Sequence, residues 1–595
     1  MTQTKKTGFQ IFRNIQDPCY NQKHMNNNKT SLPPEWWRHS VFYQIYPLSF
    51  QDTTGNGRGD LQGIISHLDY LSGSEDSLGI DAVWLNPINP SPKFDHGYDV
   101  SDYYQIDPEL GDLETFEELI QETQKRGIKI IMDYVINHTS HLHPWFQESR
   151  QSRDNNKSDW YIWRDPASDG GPPNNWLSVF GGSAWTYVPE RDQYYMHSFL
   201  PEQPDLNWRN PDTTQEMKKV LEFWLERGVG GFRVDAIDHI FKDPEFRNEP
   251  ANPNHNPQTD HPYDSLRHIY SRNQWTELKE LLRDLSDNVL GKEQQHFMIT
   301  ETWLDPDQLL EFHRISGYRQ HLPFNFHFLH LPWQADEYRN FINHYDGLLG
   351  MEHCPNFVYG NHDNLRVAGR LGTERAGSAA IMLLTLRGMP FIYYGDELGM
   401  KNTPIPQKWI QDPWEKRVPG FGLDRDPART PMPWSPNKNA GFSDNDPWLP
   451  LNPDYQTVNV ESQNQDPHSF LSLYKNLLAL RRNSTALQEG YYHAPDIENS
   501  EEVFAYIRES ESQKLLIIIN FSDKKIDTGI ELTAKDLKLS PAENVDSRAR
   551  LLLSSGLNYD NDKEFDLEQI TLDANEGLIL ELREKTGDQK HRTLD

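Results

Sequence analysis

Cysteine is nearly absent from this chain. The 595 residues contain 2 Cys, and Cys19, one of the two, lies in a polar N-terminal stretch far from Cys354. Small disulfide scaffolds carry far more cysteine than this, and a chain of this length can bury a large core without them. We therefore expect no structural disulfide.

Long apolar runs and excess positive charge are missing as well. Residues 1–30 are polar and lack the apolar segment of a secretory signal, and no apolar run is long enough to span a bilayer. The 58 Lys and Arg residues are outnumbered by 89 Asp and Glu, which gives a net charge of -31. Such a chain repels nucleic acid and anionic membranes. We expect a cytoplasmic monomer or homodimer with neither partner.

Aromatic residues and proline are abundant, with 17 Trp, 26 Tyr and 40 Pro. Flat rings pack on the apolar faces of sugars, but large α/β proteins also bury many aromatic side chains. Composition therefore leaves carbohydrate binding and core packing open as explanations.

Helix and strand patterns alternate from Trp36 onward. An amphipathic helix begins at Asp112 and is stopped by Gly127, and an apolar run follows at once; the same pattern recurs around Gly228. Repetition of helix, glycine and parallel strand predicts an α/β protein, as a (β/α)8 TIM barrel or a doubly wound sheet. The eight predicted strands are 41–46, 82–85, 128–132, 231–234, 297–299, 323–326, 356–359 and 390–394.

Pattern changes divide the chain into domains. A long Trp-, Gly- and Pro-rich stretch after the third strand predicts a small inserted domain, because loops of that length are rare in compact domains. After a helix at 471–482, strands follow each other without helices, which predicts a C-terminal antiparallel β-sandwich domain. The predicted boundaries are an N-terminal arm at 1–35, the barrel at 36–138 and 206–490, the inserted domain at 139–205, the β-domain at 491–583 and a tail at 584–595.

Charged residues stand at the ends of several predicted strands. In a β/α barrel these ends converge on one mouth. One such residue alone could be a polar side chain meeting a loop, but six are hard to explain by packing, since uncompensated buried charges are costly. Three carboxylates with an Arg and a His beside them are what cleavage of a glycosidic bond needs. The six are Asp133, Arg233, Asp235, Glu301, His362 and Asp363.

Six short motifs carry a resemblance that covers about residues 36–583. They are DYVINH at 133–138, QPDLN at 203–207, GFRVD at 231–235, ITE at 299–301, NHD at 361–363 and GMPFIYYGDE at 388–397. Together they resemble glycoside hydrolase family 13, the α-amylase family, and within it the oligo-1,6-glucosidase and α-glucosidase subgroup. Any one motif alone would be weak evidence, whereas the set is specific.

The resemblance implies a TIM-barrel enzyme that retains anomeric configuration through a covalent β-glucosyl-enzyme. Asp235 would be the nucleophile, Glu301 the general acid/base, and Asp363 the residue that holds the glucosyl hydroxyls. Arg233 lies two residues before the nucleophile and faces the same side, so it would keep Asp235 ionised. Glu301 must stay protonated until it donates, so we expect a raised pKa. Retention requires the two carboxyl groups to lie about 5–5.5 Å apart.

Further positions match residues that bind sugar in this family. His138 and His362 resemble a pair of histidines that contact sugar hydroxyls. Phe180 and Phe199 match aromatic positions near the pocket, although each could equally belong to the core of the inserted domain. These four residues extend the candidate site beyond the three carboxylates.

Three residues match the first subsite of the family. They are Asp95, Tyr98 and Arg366, and an ion pair between Asp95 and Arg366 would close the pocket behind the non-reducing end. A closed pocket predicts exo-action on single glucosyl units rather than internal cleavage.

The residue after the predicted nucleophile bears on the type of bond that is cleaved. It is Ala236; in this subgroup a small residue there accompanies α-1,4 activity, whereas Val accompanies α-1,6 activity. The expected substrates are therefore small oligosaccharides, namely maltose and short α-1,4-linked chains. The alternatives are an oligo-1,6-glucosidase and a glucosyl-transferring or sucrose-active enzyme on the same scaffold.

The segment DTTGNGRGD at 52–60 resembles the Ca²⁺- or Mg²⁺-binding loop of the subgroup. Alternating oxygen ligands with interleaved glycines suit a hard cation. Thr54 and Asn56 replace the usual Asn and Asp, so one carboxylate is lost. We expect one structural Ca²⁺ or Mg²⁺ and no organic cofactor. The expected ligands are Asp52, Thr54, Asn56, the Arg58 carbonyl and Asp60.

Overall fold

The computed structural model describes residues 35–291, 295–315, 320–532, 536–539, 545–557 and 563–584. The predicted arm and tail lie outside these residues apart from Glu35 and Glu584, and so does Cys19. Cys354 is buried as a free thiol. Within the described ranges, no helix combines the length and apolarity that crossing a membrane requires.

Eight parallel strands form the central sheet, and the barrel prediction is confirmed. Strands one to six are neighbours in chain order, and strands seven and eight precede strand one. Strands six and seven meet through the side chain of Asn356, which donates to the Pro323 carbonyl at 2.8 Å and accepts the Asn325 N–H at 2.9 Å. The strands are Phe42–Ile45, Ala82–Leu85, Lys129–Tyr134, Gly231–Val234, Phe297–Thr300, His321–Pro323, Asn356–Val358 and Met389–Tyr393.

The sixth strand lies earlier than the predicted 323–326. The apolar residues that suggested a strand there, Phe324 and Phe326, are buried in the cluster that fills the barrel interior. They are apolar because they fill this core, while the backbone N–H of Asn325 bonds a side chain instead of a neighbouring strand. The third strand, by contrast, runs on to Tyr134, so Asp133 is fixed by strand pairing.

The outer helices begin and end at the signals in the sequence. Asp112 caps the helix Leu113–Lys125 by accepting the backbone N–H of Thr115 at 2.8 Å. Gly228 has φ +92°, in the left-handed region that glycine tolerates, and turns the chain into the fourth strand. The α-helices described are Leu61–Ser66, Leu68–Leu71, Leu113–Lys125, Pro144–Ser149, Pro211–Glu226, Trp275–Leu285, Pro306–His313, Ala335–Leu349, Val367–Leu371, Thr373–Thr385, Pro413–Arg417, Val460–Asn464, Phe470–Asn483 and Thr485–Glu489.

The segment predicted as an inserted domain contains its own small sheet. Strand Gln193–Met196 pairs antiparallel with Trp163–Arg164 on one side and with Trp185–Val188 on the other. A separate aromatic cluster that includes Trp176 and Trp185 packs this unit. The unit lies over the C-terminal end of the third barrel strand, where it can contribute side chains to the mouth.

The C-terminal strands form two antiparallel sheets, as predicted. Along Val503–Glu509, Phe504 and Tyr506 join the large core shared with the barrel, whereas Val503 and Ala505 join the core between the two sheets. This alternation explains why every residue of the strand is buried. The larger sheet contains Tyr491–His493, Val503–Glu509, Lys514–Asn520, Val545–Ser554, Glu564–Asp566 and Gly577–Glu584, and the smaller contains Ile526–Thr528 and Ile570–Leu572.

Candidate active site

A cavity of about 600 Å³ opens at the C-terminal ends of the barrel strands. Eight of the eleven predicted catalytic and substrate-binding residues line it. Arg233 and His362 lie directly behind its wall, and Arg366 lies elsewhere. The eight are Asp95, Tyr98, His138, Phe180, Phe199, Asp235, Glu301 and Asp363.

Arg233 connects the carboxylates at the base of the cavity. Its side chain is 2% exposed, and one terminal nitrogen donates to both Asp133 and Asp235 at 2.7 Å. The other terminal nitrogen donates to Glu301 at 2.6 Å. One guanidinium group therefore orients the predicted nucleophile and the predicted acid at the same time. The separation of 5–5.5 Å between the two carboxyl groups stays a prediction.

Both carboxyl groups hold a proton more strongly than they would in water. Burial raises the pKa of Glu301 to about 8, and the nearby charges of Asp235 and Asp363 add to this rise. Burial also raises the pKa of Asp235 to about 7, although Arg233 opposes the rise. Arg233 therefore orients the Asp235 carboxylate, but its positive charge does not fully offset the effect of burial on the pKa of Asp235. Burial therefore disfavours ionisation of both groups, and the reaction needs the remaining proton on Glu301.

The residue after Asp235 contributes to this arrangement through its backbone. Ala236 has φ +45° and ψ +46°, a left-handed conformation that is strained for any residue with a Cβ atom. This turn aims the N–H of Ala236 at the Glu301 carboxylate, to which it donates at 3.1 Å. Ala236 therefore helps to position the acid, a role that the sequence pattern did not indicate.

Tyr98 and His362 form a hydrogen-bonded chain beside the base of the cavity. Gln44 donates to Nδ1 of His362 at 2.9 Å, which assigns the ring proton to Nε2. Nε2 lies 2.6 Å from the Tyr98 hydroxyl, and this hydroxyl donates to Asp133 at 2.9 Å. Burial lowers the pKa of His362 well below its usual value, so the ring is neutral. The chain fixes Tyr98 in the cavity wall.

Asp363 is held by cationic groups on a different part of the chain. Its Oδ1 accepts from Arg429 at 2.8 Å and lies 3.4 Å from Arg425. Burial opposes ionisation, but the Nε2–H of neutral His362, 3.2 Å from the other carboxylate oxygen, and the charges of Arg425 and Arg429 outweigh it and hold the pKa of Asp363 below its usual range. Asp363 is therefore a fixed anion that can accept hydrogen bonds from sugar hydroxyls.

A buried ion pair forms part of the cavity wall. Arg425 donates to Asp95 at 2.8 Å, and Asp412 holds the same guanidinium group at 2.7 Å. The other oxygen of Asp95 accepts from Gln203 at 3.2 Å. Asp95 and Arg425 are 4% and 8% exposed and both line the cavity, so the pair forms a buried part of its wall beside Asp363.

The predicted pairing of Asp95 with Arg366 is wrong. Arg366 is fully buried, donates to the carbonyl of Tyr394 and lies 3.9 Å from Asp396. Its guanidinium group packs between the rings of Tyr393 and Tyr394, 4.6 Å from each. Tyr393 is the last residue of the eighth strand and Tyr394 follows it, so these rings hold the Arg366 side chain away from the cavity.

The inserted domain supplies an aromatic wall of the cavity. His138 is 2.8 Å from the Tyr98 carbonyl, and its ring lies 5.3 Å from that of Phe199. Phe180 follows at 5.9 Å from Phe199. Both Phe residues line the cavity as well as packing within the inserted domain, so the two explanations left open by the sequence apply together.

Sequence reasoning missed the partners of Asp95 and Asp363. Arg425 and Asp95 are 330 positions apart, and no spacing rule connects such positions. The segments RDP at 425–427 and RTPM at 429–432 resemble a stretch that lines the acceptor side in the subgroup, and that resemblance could have pointed to these arginines. Gln203 is the first residue of the QPDLN motif at 203–207, but no role was predicted for it.

The predicted metal loop is closed by its own hydrogen bonds. Asn56 accepts the N–H of Arg58 at 2.8 Å, and Asp60 caps the following helix. Across the described ranges, no group of three or more His, Cys, Asp and Glu side chains is placed to hold a metal. Asp52 accepts from Thr54, Gly55, Gly57 and Ser443. A cation in this loop would have to replace some of the hydrogen bonds that Asp52 accepts, and the metal stays a prediction.

Comparisons with known proteins agree with this geometry. An α-glucosidase of Culex pipiens is 39% identical over 506 residues, which are 82% of this chain and 82% of the relative. An oligo-1,6-glucosidase of Parageobacillus thermoglucosidasius is 35% identical over 585 residues, 92% of this chain and 99% of the relative. The solved structure of the α-glucosyl transfer enzyme XgtA matches with a TM-score of 0.82 at 35% identity, over 92% of this chain and 99% of that chain.

The family is identified by a match to a family model over most of the chain, and the geometry of the site agrees with it. The model of the α-amylase catalytic domain matches residues 44–490, which include the end of the first barrel strand, the other seven strands and every residue of the cavity described above. The chain is therefore a glycoside hydrolase and belongs to family 13, the α-amylase family.

Proposed function

We propose that this protein is a retaining, exo-acting α-glucosidase. It would release glucose from the non-reducing end of maltose and short α-1,4-linked oligosaccharides. The observation that carries the exo-action is the buried ion pair of Asp95 and Arg425 in the cavity wall beside Asp363. This wall would stop a chain from extending past the glucosyl unit that Asp363 holds.

The geometry supports a double displacement. Asp235 would attack the anomeric carbon while Glu301 protonates the departing oxygen, which leaves a covalent β-glucosyl-enzyme. Glu301, now ionised, would take a proton from water, whose oxygen attacks the same carbon and releases Asp235. Two inversions restore the original configuration. Asp363, a fixed anion, would hold the hydroxyls of the glucosyl unit through both steps.

The type of bond is a finer part of the proposal. Ala236 lines the cavity next to the nucleophile, and its small side chain favours α-1,4-linked substrates. A difference of a methyl group or two in a pocket is worth only about 10–200-fold in discrimination. The resemblance to a glucosyl transfer enzyme favours a second candidate, in which a sugar rather than water accepts the glucosyl group.

Initial rates on maltose, maltotriose, isomaltose and sucrose test these alternatives. The proposal expects fast release of glucose from maltose and slow release from isomaltose. Faster turnover of isomaltose would contradict the argument from Ala236 and leave the catalytic residues standing. Products longer than the substrate, seen by chromatography at high maltose concentration, would favour glucosyl transfer. No turnover of any of the four would contradict the α-glucosidase itself.

Arg425 is expected to matter for substrate binding, whereas Arg366 is not. Arg425→Gln should lower kcat/KM on maltose at least about 30-fold, because truncating one partner of a buried charge pair costs about 2–5 kcal/mol. Arg366→Gln removes an equally buried arginine outside the cavity, so it should lower the melting temperature and leave KM unchanged. Steady-state kinetics and thermal denaturation of both variants check this. A rise in KM for Arg366→Gln alone would restore the original pairing.

The pH dependence of kcat/KM should be bell-shaped. Activity needs Asp235 ionised and Glu301 protonated, so the rate falls below the lower pKa and above the higher one. The values of about 7 and about 8 predict a maximum between these limits, and they belong to the coupled pair. Glu301→Gln should remove the alkaline limb, measured with p-nitrophenyl α-glucoside, whose leaving group needs little protonation. An alkaline limb that survives in Glu301→Gln would assign it to another group.

One structural Ca²⁺ or Mg²⁺ in the 52–60 loop is the remaining proposal. Its support is the oxygen-rich, glycine-spaced sequence, and binding would require Asp52 to exchange some of its hydrogen bonds for the cation. At ten times Kd a cation adds about 1.4 kcal/mol of stability. The melting temperature should then rise with Ca²⁺, fall with EDTA, and respond to neither in Asp52→Asn. No response up to about 10 mM, above the weakest sites of this kind, would contradict the proposal.

A further inference from the structure

Gln44 is a polar side chain buried in the first barrel strand, Phe42–Ile45, and is 1% exposed. Its amide nitrogen donates to the side-chain oxygen of Asn86 at 2.8 Å and to Nδ1 of His362 at 2.9 Å. A side-chain amide nitrogen carries two hydrogens, so both are used. An apolar residue would avoid the cost of burying an amide here, so these two bonds point to a specific use.

The two bonds belong to a closed ring of four side chains. Nε2 of His362 lies 2.6 Å from the Tyr98 hydroxyl, and this hydroxyl accepts from the amide nitrogen of Asn86 at 2.8 Å. The Asn86 oxygen accepts from Gln44, which completes the ring. Each of the four residues is at most 5% exposed. Because they are shielded from water, their donors must find acceptors within the protein.

Gln44 sets the direction of the hydrogen bonds that His362 makes. Either nitrogen of a neutral imidazole can carry the proton, whereas the nitrogen of a carboxamide only donates. Nδ1 faces such a donor, so the ring proton is on Nε2. The Nε2–H is directed at the Tyr98 hydroxyl and lies 3.2 Å from Oδ2 of Asp363. The Tyr98 hydroxyl keeps its own hydrogen for Asp133, at 2.9 Å.

The other tautomer of His362 would reverse this pattern. With the proton on Nδ1, Nε2 would present a lone pair to Asp363, which would lose a donor and face an acceptor. The Tyr98 hydroxyl would turn its hydrogen away from Asp133 towards Nε2. Tyr98 and Asp363 both line the cavity, so the choice of tautomer in a residue behind the wall changes two groups in the wall itself.

We propose that Gln44 is a positioning residue that selects the Nε2–H tautomer of His362 and so keeps a hydrogen-bond donor directed at Asp363. Gln44 is not among the residues that line the cavity, so it acts on the substrate only through His362 and the wall. The proposal adds a residue to the machinery of the α-glucosidase function and rests on that function for its kinetic test, whereas the tautomer can be measured without turnover.

Gln44→Met keeps the length of the side chain and removes both donors. Nδ1 of His362 then faces no donor, so both tautomers become accessible and Asp363 is held less firmly. We expect kcat/KM on maltose to fall about tenfold, roughly the cost of one unmade hydrogen bond in a buried site. Initial rates measure this loss, and thermal denaturation shows that the variant is folded. An unchanged kcat/KM would overturn the proposal.

Gln320→Met is the matched control for the loss of a buried amide. Gln320 is also 1% exposed, but it donates to the backbone carbonyls of Leu290 at 3.3 Å and His296 at 2.9 Å, and it is not among the residues that line the cavity. The control should lower the melting temperature and leave kcat/KM unchanged. An equal loss of kcat/KM in Gln320→Met and Gln44→Met would mean a general distortion of the barrel and would overturn the proposal.

Gln44→Glu makes the same loss depend on pH. At low pH, one extra proton shared by the new carboxyl group and Nδ1 preserves the Nε2–H of His362. As pH rises this proton leaves, and the remaining ring proton moves to Nδ1, where the carboxylate accepts it, so Nε2 becomes bare. The ratio of kcat/KM to that of the wild type should therefore decline with rising pH in Gln44→Glu and stay level in Gln44→Met. A level ratio in Gln44→Glu would contradict the role of the tautomer.

The surroundings of His362 are shared by both variants, so only the substituted side chain differs between their pH profiles. The titratable and charged groups around the ring are Tyr46, Tyr98, Arg233, Asp363, Arg425 and Arg429.

The tautomer can be observed directly by long-range ¹H–¹⁵N correlation in protein labelled in its histidine rings. Bare and protonated ring nitrogens give separate signals, and those lost in His362→Asn belong to His362. The wild type should carry the proton on Nε2, and Gln44→Glu at high pH should carry it on Nδ1. A wild-type proton on Nδ1 would overturn the proposal. A wild type inactive on maltose that shows the expected tautomers would reject the proposed reaction and keep the role of Gln44.

Discussion

Asp235→Asn is expected to lower kcat on maltose by at least about 10⁴-fold, the range seen when a covalent nucleophile is removed. Asn keeps the shape of the side chain and can still accept from Arg233, so the cavity should stay intact. It cannot form the covalent intermediate on which the retaining route depends. Initial rates over long incubations with purified protein measure the loss. Residual activity above about a hundredth of wild type would contradict the assignment of the nucleophile.

The same substitution is expected to raise the melting temperature, with a sign that depends on pH. Burial raises the pKa of Asp235 from 3.8 to about 7 in the folded state. A carboxyl group with a raised folded pKa favours folding fully below pH 3.8, and this contribution is lost as pH rises through the folded pKa. The neutral Asn escapes that loss, so its advantage over Asp235 should be large at pH 8 and small near pH 4.

The control for this prediction is a carboxylate that is not buried. The side chain of Asp307 is 73% exposed in the helix Pro306–His313. Asp307→Asn should change neither the rate nor the melting temperature at either pH. If Asp235→Asn gave the same thermal shift at pH 4 and pH 8, the gain would come from packing, and the argument from the buried charge would fail.

The barrel could be predicted because its signals are local. Each helix cap and stop, such as Asp112 and Gly228, is read within a few residues of the element it bounds. The three predicted catalytic carboxylates were found for the same reason, since Asp235 and Glu301 follow an apolar strand directly and Asp363 follows one within five residues. The bounds of the sixth strand were predicted wrongly, because Phe324 and Phe326 are apolar as part of the barrel interior and not as part of a strand. A short run of apolar residues occurs both in a buried loop and in a strand, so the sequence alone does not distinguish the two.

The electrostatic partners could not be predicted, because they are set by the fold as a whole. Arg366 stands three residues after Asp363 and matches the family position, yet its side chain turns into the core of the eighth strand. Arg425 comes from a loop 330 positions away from Asp95. The sequence indicated that Asp95 needs a cation, and only the folded chain identifies which arginine supplies it.

Arg233→Met is expected to give the second largest effect, on stability and activity together. Met has a similar length and no charge, so it leaves Asp133, Asp235 and Glu301 without their shared donor. Removing one partner of a buried ionic group costs about 3–5 kcal/mol, because the remaining charges stay buried without compensation. Activity should fall at least about 10²-fold, since both the nucleophile and the acid lose their orientation.

The destabilisation by Arg233→Met should depend on pH, and this dependence distinguishes lost charge pairing from lost packing. At pH 8 the three acids compete to ionise without a cation, whereas near pH 5 they can take up protons and relieve their repulsion. The difference in unfolding free energy between variant and wild type should therefore be larger at pH 8. Urea denaturation at the two pH values measures it.

Arg481 provides the comparison that makes this result interpretable. It is an arginine with the same 2% exposure, but it donates to the backbone carbonyls of Leu384, Leu386 and Gly388 rather than to carboxylates. Carbonyl groups do not titrate, and Asp81 is the one carboxylate whose charge acts on Arg481, without a hydrogen bond to it, so the destabilisation by Arg481→Met should vary much less between pH 5 and pH 8. If both variants behaved alike, Arg233 would be a structural arginine. If only Arg233→Met became worse with rising pH, the buried carboxylates of the cavity would be the groups that depend on it.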